Sequence, residues 1–357
     1  MRAAQTWQRG FKRASHRYPT LWSHGLIILT FKKDDPSNPK NYRGITLLSV
    51  MGKIFTSIMN SRLCGYLIKK GIITPEQCGF RKKHGTQDSI FFLKALIDKY
   101  VKSKPKKSNN LLVTCFVDLS KAFDSIPRGK LFQKLKLVGV TGHFLEILHS
   151  MYSNDKSSVK IENMLTPAFR CHTGVKQGCM LSPTLFNLYL SDLSEELKAK
   201  NLNDVKLNEL PLSCMLCADD LVIFSKSKNG LQDYLDSLCE YCKENDLSVN
   251  LNKTKVLIFN NCKGTMNKHV YYRGNKLDYV SNYKYLGLQF STYGTFMYAK
   301  QEIKKVALKA LYKLRKEMGD HFRYDVQLTM NIFDSYFPNT HLRKRGMRGL
   351  LRRKARK

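Results

Sequence analysis

Acidic residues are scarce in this chain. Lys and Arg number 61 against 28 Asp and Glu, a formal net charge of +33. One sign of charge at that density opposes compaction unless a polyanion neutralises it. Nucleic acid is the expected partner, with an anionic membrane surface the weaker option. Long apolar runs are missing too. No stretch approaches the ~18 consecutive apolar residues of a membrane helix, so no span is expected. The opening "MRAAQTWQRGFKRASHRYP" has charges but not the apolar centre of a secretory signal. The expected location is therefore intracellular, and the nucleus if the host is eukaryotic. No internal repeat is present. What remains is 357 residues, 43% hydrophobic and 25% charged, enough for a real core and roughly two domains.

Ten cysteines lie mostly in apolar runs, as reduced core thiols of an intracellular protein do. Cys214-x-x-Cys217 and Cys239-x-x-Cys242 copy the spacing of a four-cysteine zinc site. Geometry argues against it. Cys214 and Cys217 fall in a predicted strand, where an offset of three puts side chains on opposite faces. Two ligands of one tetrahedral ion must converge.

The remaining pattern is mixed α/β. "LIILTF" (Leu26 to Phe31) reads as a strand and "KKDDPSNPKNYRGI" as a loop. A helix follows, with Ser49 as its N-cap and Gly71 as its stop. Helices are also predicted from Thr86 to about Val101, over "PRGKLFQKLKLVG", and from about Leu231 to Asn245. "LLVTCFVDLS" reads as a buried strand, and "TKVLIFN", "VYYRGNKL" and "YKYLGLQFS" as short strands or hairpin arms. From Phe296 to Met318 a predicted helix carries a cationic face including Lys300, Lys304, Lys305, Lys309 and Lys313. The tail "HLRKRGMRGLLRRKARK" holds basic residues and no acid.

Against this background one stretch is anomalous. "LCADDLVIFS" sets Asp219 and Asp220 side by side inside an apolar run. A second strand, "CFVDLSKAFDSI", ends in Asp118. If both strands share a sheet, their carboxylates meet and repel. A hard divalent cation removes that conflict, because Mg²⁺ accepts carboxylate and phosphate oxygens together. Two such ions can activate a hydroxyl and neutralise a leaving phosphate. A basic chain with such a site is a candidate polymerase or nuclease. For a bare Asp-Asp pair, a surface turn is the plain alternative.

"FVDLSKAFDSI", "GVKQGCMLSPTLFNLYLSDL", "ADDLVIFS", "LNKTKVLIF" and "YKYLGLQF", in that order, resemble the reverse transcriptases of non-LTR (LINE-type) retrotransposons. Upstream, "FKKDDPSNPKNYRGITLLSVMGKIF" and "QCGFRKKHGTQDSI" resemble the family's fingers segments. The resemblance covers roughly Leu26 to Gly319. It implies an α+β right-hand polymerase whose palm is an antiparallel sheet backed by helices. It divides the chain into an N-terminal remnant (1–25), fingers (26–108), a first palm segment (109–128) and helices of fingers and palm (129–165). A second palm segment with catalytic hairpin and primer grip (166–292), a thumb (293–337) and a basic tail (338–357) follow. The implied activity is RNA-directed DNA synthesis from a primer 3′-OH, with dNTPs, two Mg²⁺ ions, an RNA template, a DNA primer and the RNA–DNA duplex as partners.

Roles follow from matching positions. Asp118, Asp219 and Asp220 match the metal-binding acids. Phe123 matches the sugar gate that excludes a ribose 2′-OH, with a core Phe as the alternative. Asp124 has a bland reading as a helix N-terminal acid. Gln177 and Gly178 match the element beside the incoming nucleotide, where glycine permits close backbone approach. Lys253 matches the lysine that protonates pyrophosphate, with Lys255 competing. Arg43, with Lys32 or Lys33, resembles the triphosphate grip. Leu286 and Gly287 lie in the primer grip, and Lys300, Lys304 and Lys309 on the thumb face.

The chain departs from the pattern at Cys217, where the family usually carries Tyr or Phe, and at Asp34, where glycine is commoner. Little chain precedes Leu26 for an endonuclease, and nothing after the thumb resembles an RNase H domain or a zinc knuckle. An isolated module or truncated copy is the expectation. A catalytically degenerate relic that only binds nucleic acid, a viral-type RNA polymerase and a metal-dependent nuclease are the rival readings. The sequence does not set the oligomeric state.

Overall fold

The computed structural model describes residues 17–32, 35–81, 84–103, 111–200, 205–207, 210–260, 269–295, 301, 302, 304, 305, 308, 309 and 312. Lys33, Asp34, Lys300, Lys313 and the basic tail lie outside the described residues. The chain divides into two compact units: 1–286 with 292–294, and 287–291 with 295–357.

Two five-stranded sheets lie in the first unit. β1 (His24–Phe31) and β2 (Tyr42–Leu47) form an antiparallel pair, with Thr30 opposite Arg43. Helix α1 (Val50–Lys69) starts as the sequence predicts: the Ser49 side chain accepts from the Gly52 amide. Gly71, at φ 68°, follows its C-terminal end. α2 (Thr86–Ile97) runs on through a wider turn over Asp98–Lys102.

β3 (Leu111–Asp118) is the centre of the second sheet, and its residues 112–117 are all buried. A strand flanked by neighbours on both edges and covered on both faces needs such a continuous apolar run. After it come the short α3 (Ala122–Ser125), α4 (Arg128–Leu137), α5 (Gly142–Ser153) and β4 (Lys156–Ile161). β4 pairs parallel with β1, so the segment expected as helices ends in a strand of the first sheet. Short strands Met164–Leu165 and Phe169–Arg170 pair with β4. α6 (Ser182–Tyr189) carries Pro183 in its first turn, where a missing amide is tolerated, and is almost wholly buried.

β5 (Cys214–Cys217) and β6 (Asp220–Ser225) form a hairpin, and α7 (Lys228–Glu244) begins three residues before its predicted start, capped by Ser227. β7 (Lys255–Asn260) completes the sheet, whose order is Asp278–Tyr279, β7, β3, β6, β5. All pairs are antiparallel except the outer one between Asp278–Tyr279 and β7. "VYYRGNKL" is a hairpin of Tyr271–Tyr272 with Asn275–Lys276, and β8 (Asn282–Tyr285) is the first arm of "YKYLGLQFS". The core under this sheet gathers Leu185, Phe186 and Tyr189 of α6 with Leu231, Leu235 and Leu238 of α7.

The second unit contributes β9 (Leu288–Ser291) and helical residues between 301 and 312. Lys304 and Lys309 are exposed there. Among the described residues no helix is long and apolar enough to cross a membrane.

Candidate active site

The sheet register answers the anomaly of the paired acids. β3 and β6 run antiparallel with Asp118 directly opposite Asp220. Asp220 is also opposite Cys217 across the β5–β6 hairpin, so Ala218 and Asp219 form the turn. Asp118 and the adjacent pair Asp219 and Asp220, far from it in sequence, thus reach one end of one sheet. Asp219 is exposed, whereas Asp118 and Asp220 are half-buried. Burial pushes the Asp220 carboxyl up to about 6, and the nearby charges of Asp219 and Asp118 push in the same direction. Among the described residues, no three His, Cys, Asp or Glu side chains are already arranged to hold a metal ion. Cys214 and Cys217 both lie in a buried strand.

The turn is strained and buttressed. Ala218 has φ 60°, uncommon for a residue with a Cβ. The segment from Glu76 to Gly79 lies along β5. The Leu216 amide donates to the Glu76 carbonyl at 2.9 Å, and the Cys78 amide to the Leu216 carbonyl at 2.8 Å. A Cβ on Gly79 would sit 2.2 Å from the Ala218 nitrogen, so only glycine lets the two backbones approach this closely. Asn187 of α6 locks the segment. Its side chain donates to the Gly79 carbonyl at 2.7 Å, and its backbone carbonyl accepts from Gln77 Nε2 at 2.8 Å.

Lys253 stands beside the acids. Its Nζ lies 3.3 Å and 3.4 Å from the two carboxylate oxygens of Asp118. The loop carrying it is fastened to the end of β3: the Asn250 amide donates to the Asp118 carbonyl at 2.8 Å, and the Ser120 amide to the Ser248 carbonyl at 2.7 Å. Lys255, the competing lysine, pairs instead with Asp278 at 2.5 Å on the sheet's outer edge.

A second cluster joins β2 to the loop before α6. Arg43 Nε donates to Gln177 Oε1 at 3.2 Å, and Gln177 Nε2 donates to Asp124 Oδ1 at 3.1 Å. The Thr46 amide donates to the Gln177 carbonyl at 2.9 Å. Gly178 has φ 110°, and a Cβ there would meet the Thr46 carbonyl oxygen at 2.3 Å. The glycine is therefore required, although the backbone it approaches here is β2. Asp124 acts as a partner of Gln177 as well as an acid in the first turn of a four-residue helix. Lys32 is exposed at the end of β1, where its amide donates to the Asn41 carbonyl.

Phe123 is half-buried, stacked on Phe186 at 4.5 Å and 11°. One face of the ring packs on the core. Below the acids, Phe116 stacks on Tyr283 of β8 at 4.2 Å and meets Tyr285 at 5.3 Å. These rings place aromatic packing beside the hairpin that Cys217 does not supply. Leu286 and Gly287, at φ 47° and 84°, make the turn after β8.

One keystone had no sequence signal. The buried Asp155 pairs with Arg128 at 2.5 Å and with Lys176 at 2.6 Å. Arg128 also donates to the carbonyls of Tyr152, Cys171 and Gly174, fixing the loop that delivers Gln177. The spacing of the three residues forms no motif, and each is one charge among many along a charged chain.

The sheet, the acid-bearing hairpin and the flanking helices define a right-hand polymerase. Solved structures share the fold: apo telomerase from Candida tropicalis, truncated from its C-terminal domain, superposes with a TM-score of 0.52 over 81% of this chain and 57% of that one, at 13% identity. Residues 31–290 match the family "Reverse transcriptase (RNA-dependent DNA polymerase)", and the chain belongs to it, as a LINE-type reverse transcriptase domain. Two similar proteins of Drosophila melanogaster are the RNA-directed DNA polymerase from mobile element jockey, 28% identical over 299 residues, and the probable RNA-directed DNA polymerase from transposon BS, 27% identical over 290. Each match covers 78% of this chain and 30% of the relative. The family generally works with a divalent metal.

Proposed function

We propose that this chain extends a primer 3′-OH with dNTPs on an RNA template, as the polymerase part of a retrotransposition protein. The observation that carries the reading is the register pairing of Asp118 with Asp220, with Asp219 in the adjoining turn. Carboxylates at this spacing, one of them pushed toward its neutral form by burial and its neighbours, are the oxygen donors a hard divalent cation stabilises. Asp118, Asp219 and Asp220 would hold Mg²⁺, which supplies activation of the attacking hydroxyl and neutralisation of phosphate charge.

The other roles fall to this chain's own side chains. Lys253, beside Asp118, is placed to give a proton to the departing pyrophosphate. Arg43 and Lys32, with Lys33, would hold the triphosphate, Arg43 through its planar fork. Gln177 and Gly178 form the floor under the nucleotide, and Phe123 limits the space beside its sugar. Leu286 and Gly287 would steady the primer end. Lys300, Lys304 and Lys309 would follow the phosphates of the RNA–DNA duplex, contacts that position without reading sequence. Phosphoryl transfer asks mainly for such positioning and charge neutralisation.

The test is primer extension on poly(rA)/oligo(dT) with dTTP and Mg²⁺, wild type against Asp219→Asn. Extension by the wild type and its loss in the variant are expected. Equal extension by both would remove the site assignment. Binding of the duplex by both with extension by neither would favour a binding-only relic.

A further inference from the structure

Phe80 is the least comfortable residue beside the site. It is 51% exposed, so burial does not hold it, and it carries φ 59°, an outlier for a bulky side chain. Backbone strain of this kind persists only where the surroundings impose it, and glycine would relieve it. The surroundings are rigid on both sides. Before Phe80, the Glu76-to-Gly79 segment is fixed to β5 and clamped by Asn187. After it, Arg81 Nη1 donates to the carbonyls of Thr74 and Gln77 at 3.0 Å and 3.3 Å. The backbone that carries Phe80 is therefore fastened to the strand that ends at the Ala218–Asp219 turn.

From that position the ring meets Phe123 edge to face, at 6.0 Å and 84°. Phe123 also stacks face to face on Phe186, which is fully buried. Three rings thus form a series from the core to the surface, with Phe123 held between a buried ring and an exposed one. The Phe123 carbonyl accepts from the Val175 amide at 2.8 Å, tying the same residue to the Gln177 loop. Phe186 packs on one face of the Phe123 ring, and Phe80 adds a second ring contact that is itself exposed.

Resting on the polymerase reading above, we infer that Phe80 is a specificity-determining positioning residue: it sets the tilt of the Phe123 ring and so the room for a 2′-hydroxyl on the incoming nucleotide. An edge-to-face ring pair corresponds to roughly three- to tenfold in an equilibrium between ring orientations.

The experiment uses the full chain with 4-fluorophenylalanine at position 123, in the wild type, Phe80→Ala and Phe80→Tyr. Two quantities are read: the ¹⁹F resonance, and the ratio of kcat/KM for dTTP over UTP on poly(rA)/oligo(dT). Phe80→Ala should shift or broaden the resonance and lower the ratio by about three- to tenfold. The loss should come mainly from faster UTP incorporation, and Phe80→Tyr, which keeps the ring, should restore both readouts. An unchanged resonance in Phe80→Ala overturns the inference whether or not the protein polymerises. So does an unchanged ratio with a shifted resonance. A wild type that incorporates neither nucleotide sinks the polymerase reading and, with it, the role in sugar selection.

Discussion

At the scale of single residues, the candidate site sets like charges against one another. Asp220 is the clearest case. Its carboxyl is pushed from an ordinary value of about 3.9 up to about 6 by burial, then by Asp219 and Asp118. The folded chain therefore holds a proton between about pH 4 and pH 6 that the unfolded chain has released. Stability falls as pH rises through that window and then levels off. Asp220→Asn carries no such liability. Without metal it should be more stable than the wild type at pH 7, by at most about 2 kcal/mol because the side chain is partly solvated. The two should converge near pH 4. Urea unfolding at both pH values checks this, and a variant less stable at pH 7 would contradict it. Lys253 illustrates the same scale. It faces Asp118 because it stands in a loop held to the end of β3, whereas Lys255, two residues on, is in β7 and turns to Asp278.

At the scale of elements, the loop that delivers Gln177 depends on the buried ion triad of Asp155, Arg128 and Lys176. Removing one member leaves the other charges desolvated and unpaired. Asp155→Ala should cost about 3–5 kcal/mol by denaturant unfolding, and a loss below about 1 kcal/mol would mean that the loop is held by other contacts. This triad was invisible in the sequence, because nothing in the spacing of residues 128, 155 and 176 announces convergence. β4 escaped notice for a related reason: "KSSVKI" is weakly apolar, and a parallel partnership with β1 depends on a distant strand. By contrast, β3, β6 and β7 were legible from their apolar runs, and α1 from Ser49. The acids were legible too, since a charge inside a buried strand is conspicuous. Gly79 stands in the fingers-like "QCGF", but its role becomes visible only with the Ala218 backbone 2.2 Å from where its Cβ would lie.

At the scale of the whole molecule, the excess of positive charge and the site serve the same end. A net charge of +33 attracts a polyanion without choosing its sequence, and the paired acids are the proposed place for chemistry on phosphate. The sheet brings those acids together across a sequence separation that no local motif spans, which is why the fold is needed for the site. The most direct test is single-nucleotide incorporation by the wild type, Asp118→Asn and Asp220→Asn across a Mg²⁺ titration, with primer–template binding measured alongside. Both variants should lose at least about 10²–10³ in rate while binding the duplex nearly as well as the wild type. A variant that incorporates dTTP at the wild-type rate would contradict the claim that these carboxylates form the reaction centre.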